Sequence, residues 1–141
     1  MKAVSLFLFL SSFICSAQAF EAAGSLEDTR ALSDSVMQSL ADNKLREGVL
    51  KLKPFNQAPT AEFDVQLNSL ELQAPAMGQR FGKAKGYEFI AEDAVGDSLI
   101  RHEYILKFER FVTVWRFVYY KSDEGWLLVH WGFNDNVQAL F

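Results

Sequence analysis

The stretch WRFVYYKSDEGWLLVHWGFND, residues 115 to 135, constrains this chain more than any other. It holds three Trp, two Phe and two Tyr around one polar turn. Successive side chains of a strand point to opposite faces, so a half-exposed strand alternates apolar and polar residues. Here both faces are apolar. Phe111 to Tyr120 and Trp126 to Phe133 therefore read as two strands of a hairpin, joined by Lys121-Ser122-Asp123-Glu124-Gly125, with glycine for a positive φ. Something must cover each face.

The strand upstream is different. Between Asp97 and Glu109, residues Ile100, His102, Tyr104, Leu106 and Phe108 share one face, and Arg101, Glu103, Lys107 and Glu109 share the other. That pattern predicts a half-exposed strand. Tyr87 to Glu92 form a shorter one. Before the strands come helical patterns. Ser25-Leu26-Glu27-Asp28 carries a capping residue and first-turn acids, followed by an apolar stripe of Leu32, Val36, Met37 and Leu40. A second helical segment runs from Lys44 to Lys53 and stops before Pro54. A third opens at Pro59-Thr60 with Phe63, Leu67 and Leu70, and Pro75 is expected to end or kink it. MGQRFGKAKGYE, with three glycines, reads as a connection. Helices followed by an antiparallel meander predict an α+β domain with the helices on one sheet face.

The start, MKAVSLFLFLSSFICSAQA, has one early Lys, an apolar run and small residues at Ala17 and Ala19. This is the form of a secretory signal peptide, with cleavage expected after Ala19 and a periplasmic or secreted product. The run is too short for a bilayer span, which needs about 20 residues, and Ile14 before Cys15 excludes a lipobox. Residues 20–141 then form a single domain. Cys15 leaves with the leader, so no thiol chemistry is expected in the mature chain. Lys2 leaves too, which makes the acidic excess one charge larger than the −4 of the whole chain. That balance argues against a nucleic-acid partner.

No reaction motif survives inspection. HEYIL, from His102, lacks the second histidine of a zinc-protease helix, because Leu106 stands there. GQRFGKA, residues 78 to 84, is one residue short of a phosphate loop and ends in Ala84. Asp93 and Asp97 around Gly96 do not make a calcium loop. Neither a metal nor a cofactor is expected. The notable residues are polar ones set in apolar strands: Arg116 among Val112, Val114 and Val118, His130 on the expected face of Trp126 and Leu128, and His102 beside Tyr104. A buried guanidinium requires a partner, so one reading makes these residues structural. The other has His102, Arg116 and His130 line a ligand pocket with Tyr87, Tyr104, Trp115 or Tyr120.

The element order and the aromatic residues flanking YYKSDEGW resemble the NTF2-like superfamily, the cystatin-like cone that includes SnoaL-like proteins. A ferredoxin-like fold would need helices between strands, and a lipocalin would need eight strands. The resemblance implies a bent sheet with helices in its concave face, a pocket at the wide end and a homodimer through the convex face. It implies a binding or accessory module for a small planar or apolar ligand. The alternatives are a cofactor-free isomerase or dehydratase and a structural partner of another envelope protein. Cone enzymes of this kind use an Asp base, but the acids weighed here, Asp64, Asp93, Asp97 and Asp135, lie on a helix face or in turns, so no catalytic residue is assigned.

Overall fold

The computed structural model describes residues 20–141; the expected signal peptide lies outside them. Three helices, α1 (Leu26–Ala41), α2 (Leu45–Leu50) and α3 (Thr60–Phe81), precede four strands, β1 (Ala84–Val95), β2 (Leu99–Phe108), β3 (Val112–Ser122) and β4 (Gly125–Asn134). The sheet is antiparallel throughout, in the order β1-β2-β3-β4. The class is α+β, as the sequence predicts.

α1 begins where expected. The Ser25 hydroxyl accepts from the Asp28 backbone N–H at 3.1 Å, and Glu27 and Asp28 occupy the first turn. Its buried stripe extends the apolar one towards the N-terminus: Thr29 and Ser33 continue the line of Val36, Met37 and Leu40. α2 is shorter than its pattern, and Pro54 lies in a 3₁₀ turn at Lys53–Phe55.

α3 departs from expectation. It runs 22 residues, straight through Pro75. Proline removes one backbone donor, but Pro75 lies on the exposed side of the helix, where water can take the released carbonyl. The far end is held in place. Phe81 packs on Phe111 and Phe108 at 5.0 and 5.7 Å between ring centres, and the Arg110 guanidinium donates to the Arg80 and Gln79 carbonyls. The glycine-rich segment read as a connection is thus mostly helix and strand, and β1 starts three residues before Tyr87.

Cross-strand pairs share a face, and the register separates the two sides of the sheet. Tyr104 opposes Trp115, His102 opposes Phe117, and Ile100 opposes Tyr119; all are buried beneath the helices with Trp126, Leu128 and Trp131. The other face carries Leu99, Ile105, Val112, Val118, Tyr120 and Leu127, which are only partly covered. The core therefore covers one face of the aromatic hairpin. On the other face Val114 is fully buried, and the chain's last 3₁₀ turn, Val137–Leu140, contacts β3.

One irregularity decides where β4 points. Val118 pairs with His130 and Tyr119 with Leu128, leaving Val129 extra. This bulge turns His130 away from the face of Trp126 and Leu128, where simple alternation places it, and returns Trp131 to the core.

The β3–β4 turn is pinned by Gly125. Its φ is +126°, and a Cβ there would come within 2.6 Å of the Ala23 carbonyl, which accepts from the Trp126 N–H at 2.8 Å. Gly96 also has positive φ, +56°, but has open space around it. Gly96→Ala should cost about 1 kcal/mol from φ alone. Gly125→Ala should cost clearly more, because the N-terminal segment must also move. Paired urea melts of the two variants check the difference.

Candidate functional site

Two groups of functional side chains emerge, on opposite sides of the molecule. The first joins α1 to β1, β2 and β3. Tyr104 donates to the Asp34 carboxylate at 2.7 Å, and Arg30, one helical turn before Asp34, donates to the same oxygen at 3.1 Å. The Arg30 guanidinium lies 3.3 Å above the Phe89 ring, a cation–π contact. Deeper in, Ser33 Oγ is 2.8 Å from the Tyr119 hydroxyl, 3.1 Å from His102 Nδ1 and 3.0 Å from the Thr29 carbonyl. His102 Nε2 lies 2.9 Å from Glu92.

Hydrogen-bond arithmetic orders this chain. A hydroxyl has one proton. With a neutral imidazole, Tyr119 donates to Ser33, Ser33 donates to Nδ1 in place of the Thr29 carbonyl, and Nε2–H donates to Glu92. Burial holds His102 below the usual histidine range, against the opposing pull of Glu92, which favours this neutral form. Burial first, and then the bond to Asp34, push Tyr104 up; burial pushes Tyr119 up as well. Both phenols stay protonated. Serine, histidine and glutamate in sequence have the members of a nucleophilic relay. Ser33 and His102 are closed to solvent, however, so no substrate reaches Oγ. In this geometry the relay fastens α1 to the sheet.

The second group lines an open groove of about 1070 Å³ between α3 and the edge strand β4. α3 contributes Val65, Gln66, Leu70, Met77 and Arg80, and the strands contribute Arg116, His130, Trp131 and Phe133. Arg116 reaches the groove from β3 because its partner on β4 is Gly132, which has no side chain to block it. Its guanidinium is held by Glu103 at 2.5 Å, a cross-strand pair within the chain. Gln66 donates to the Trp131 carbonyl at 2.9 Å. The Trp131 indole N–H is buried without an acceptor among the described residues.

The sequence-derived candidates therefore separate. Arg116 and His130 meet at the groove. His102, Tyr104 and Tyr87 belong to the α1 network. Trp115 is core, donating to Thr113 at 3.0 Å and stacked on Phe133. Tyr120 is exposed on the opposite sheet face. Sequence reading missed Asp34, Arg30 and Ser33, although Arg30 and Asp34 stand four apart on one helix. It also missed the α3 wall, where Val65 and Met77 stand among small and polar residues and the whole looks like an ordinary solvated face. Among the described residues no three acidic, histidine or cysteine side chains gather as a metal site, and no helix is long and apolar enough to cross a membrane.

The fold is NTF2-like. A Campylobacter jejuni crystal structure, provisionally described as an NTF2-like transpeptidase, superposes with a TM-score of 0.50 at 13% identity, covering 72% of this chain and 97% of that one. At that identity the likeness concerns the fold alone. No protein-family model matches the sequence, and no curated protein matches it.

The His102 relay gives a signed pH prediction. A histidine depressed in the folded state contributes stability above its unfolded pKa of about 6.5, and that contribution is lost as pH falls through the folded value. Melting temperature should therefore fall on acidification below about pH 6.5. The fall should be shallower in His102→Gln, as followed by circular dichroism.

Proposed function

We propose that this protein is an exported, non-catalytic binding module that holds an elongated, partly apolar ligand in the α3–β4 groove. The observation that carries this reading is the groove itself. A volume of this size, with an apolar surface from Val65, Met77, Trp131 and Phe133 and polar groups such as Gln66, Gln73, Arg116 and His130 beside it, matches the general make-up of ligand sites. Arg116, held by Glu103, and His130, turned outward by the bulge, supply rim groups that orient a ligand. The enzymatic alternative would need an accessible base. In the best-organised acid–base set, Ser33–His102–Glu92, the serine and histidine are sealed and only the Glu92 carboxylate reaches solvent, which favours binding over isomerase or dehydratase chemistry. Export rests on the leader pattern of residues 1–19.

The test uses mature protein, residues 20 to 141, and the fluorescent apolar dye 1-anilinonaphthalene-8-sulfonate. Dye should bind with energy transfer from tryptophan. Val65 is 68% exposed on the groove wall, so Val65→Arg should weaken dye binding at least about tenfold while changing stability by about 0.5 kcal/mol or less. Equal dye binding by the variant would place the dye elsewhere and remove the support for the groove.

A homodimer through the convex face belongs to the same reading. Ile90, Val95, Tyr120 and Val129 are large apolar residues left exposed, with Val95 and Tyr120 placed by their pairing on that face, and exposed apolar residues gathered in a patch mark interaction surfaces. Because Arg116 already has Glu103 within its own chain, the interface need not supply it with a partner. Sedimentation equilibrium at micromolar concentration should give a dimer, and Tyr120→Glu should shift it towards monomer. A monomeric wild-type protein would refute the dimer.

A further inference from the structure

We infer that the groove takes an extended polypeptide segment of another protein, which adds to β4 as a fifth strand. This rests on the α3–β4 groove being the binding site and specifies its occupant.

The chain already adds extended segments to this edge. Ala23 and Trp126 exchange backbone hydrogen bonds at 2.8 and 2.9 Å. Asn56 bridges Leu128 in parallel, with the Gln57 N–H donating to the Leu128 carbonyl at 2.9 Å. Both additions stop at Leu128, just before the bulge.

Beyond the bulge no strand or extended segment among the described residues continues the ladder; Gln66 of α3 reaches the edge there, at Trp131. In an antiparallel ladder, residues bonded to the inner strand alternate with residues whose N–H and C=O point outward. Trp126 and Leu128 point outward. The bulge takes up one residue, and the pairing of Phe117 with Trp131 and of Trp115 with Phe133 makes these the next outward pair. The Trp131 carbonyl is where that alternation puts it, because Gln66 of α3 reaches it. A side-chain primary amide is the closest chemical equivalent of a peptide N–H, so Gln66 occupies one position of a missing strand. Among the described residues, the N–H and C=O of Phe133 have no backbone partner outside the sheet.

The groove walls suit such an occupant. An unpaired strand edge is a template for pairing, and strand addition takes its affinity from main-chain bonds and its selectivity from alternate side chains. Trp131 to Asp135 spans about 13 Å at strand rise, enough for four or five residues. The apolar wall of Val65, Leu70 and Met77 would take the side chains on one side of the added strand. The unpaired Trp131 indole N–H marks this seam as under-satisfied in hydrogen bonding.

The experiment is amide hydrogen exchange by NMR on mature protein, with two probes. The first is a pooled set of acetylated, amidated pentapeptides alternating threonine with valine, leucine or phenylalanine. The second is the same set N-methylated at every residue, which keeps the side chains and removes the N–H donors of both edges. The unmethylated pool should slow exchange of the Phe133 amide at least tenfold, and the methylated pool should not. Equal effects from both pools would overturn strand addition. Dye binding without any peptide effect would also overturn it, while leaving the groove as a small-ligand site. Loss of both dye and peptide binding would remove the groove reading too. Concentration-dependent protection of Phe133 without peptide would make a second copy of this chain the occupant and overturn the partner-protein assignment.

Discussion

The structure depends on how α1 meets the sheet. Two tyrosines and a histidine carry polar atoms into an aromatic core, and a buried polar group without a partner costs more than its hydrogen bond returns. α1 satisfies the phenols and one histidine nitrogen: Asp34 takes Tyr104, and Ser33 takes Tyr119 and His102. Glu92 on β1 takes the other nitrogen. These bonds are directional, so they fix the helix along its axis and about it, which apolar packing alone would leave looser. α2 then has one place to pack, and the concave face is filled at this end by side chains.

Filling one end leaves space at the other. α3 contacts the sheet through Phe63, Leu67, Leu70 and Phe81, and Phe63 packs on Trp131 at 5.6 Å. Between those anchors Val65, Gln66 and Met77 face the groove along β4, with Gln66 reaching across to the Trp131 carbonyl. The same helix thus closes the core along one line and borders an open groove along another. Its length matters as well, because the contacts of Phe81 and Arg110 anchor the end beyond Pro75 and keep that wall continuous.

The fold was legible in the sequence because it rests on periodicity. The stripe of α1, the alternation of β2 and the two-sided hairpin are repeated signals, and each appears where it was expected. The features that escaped depend on single residues. Pro75 ends most helices, and only tertiary contacts downstream show that this one continues. The facing of His130 depends on one extra residue, Val129, which leaves no compositional mark. Asp34 and Ser33 look like ordinary helix-surface polar residues until Tyr104, Tyr119 and His102 are placed opposite them. The candidate site was half legible. Arg116 and His130 stand out as polar residues in apolar strands, whereas the α3 wall does not.

The bulge at Val129 also bears on how this chain can vary over evolutionary time. Side chains in β4 can be exchanged one at a time, at a cost set by their own packing. The strand's length has one slack residue: loss of a residue between the turn at Gly125 and Trp131 would remove the bulge and return β4 to plain alternation with Trp131 still facing the core, whereas a gained residue would need a second bulge to keep it there. Drift in this strand is therefore open to substitution and to the loss of one residue, and resists the gain of one.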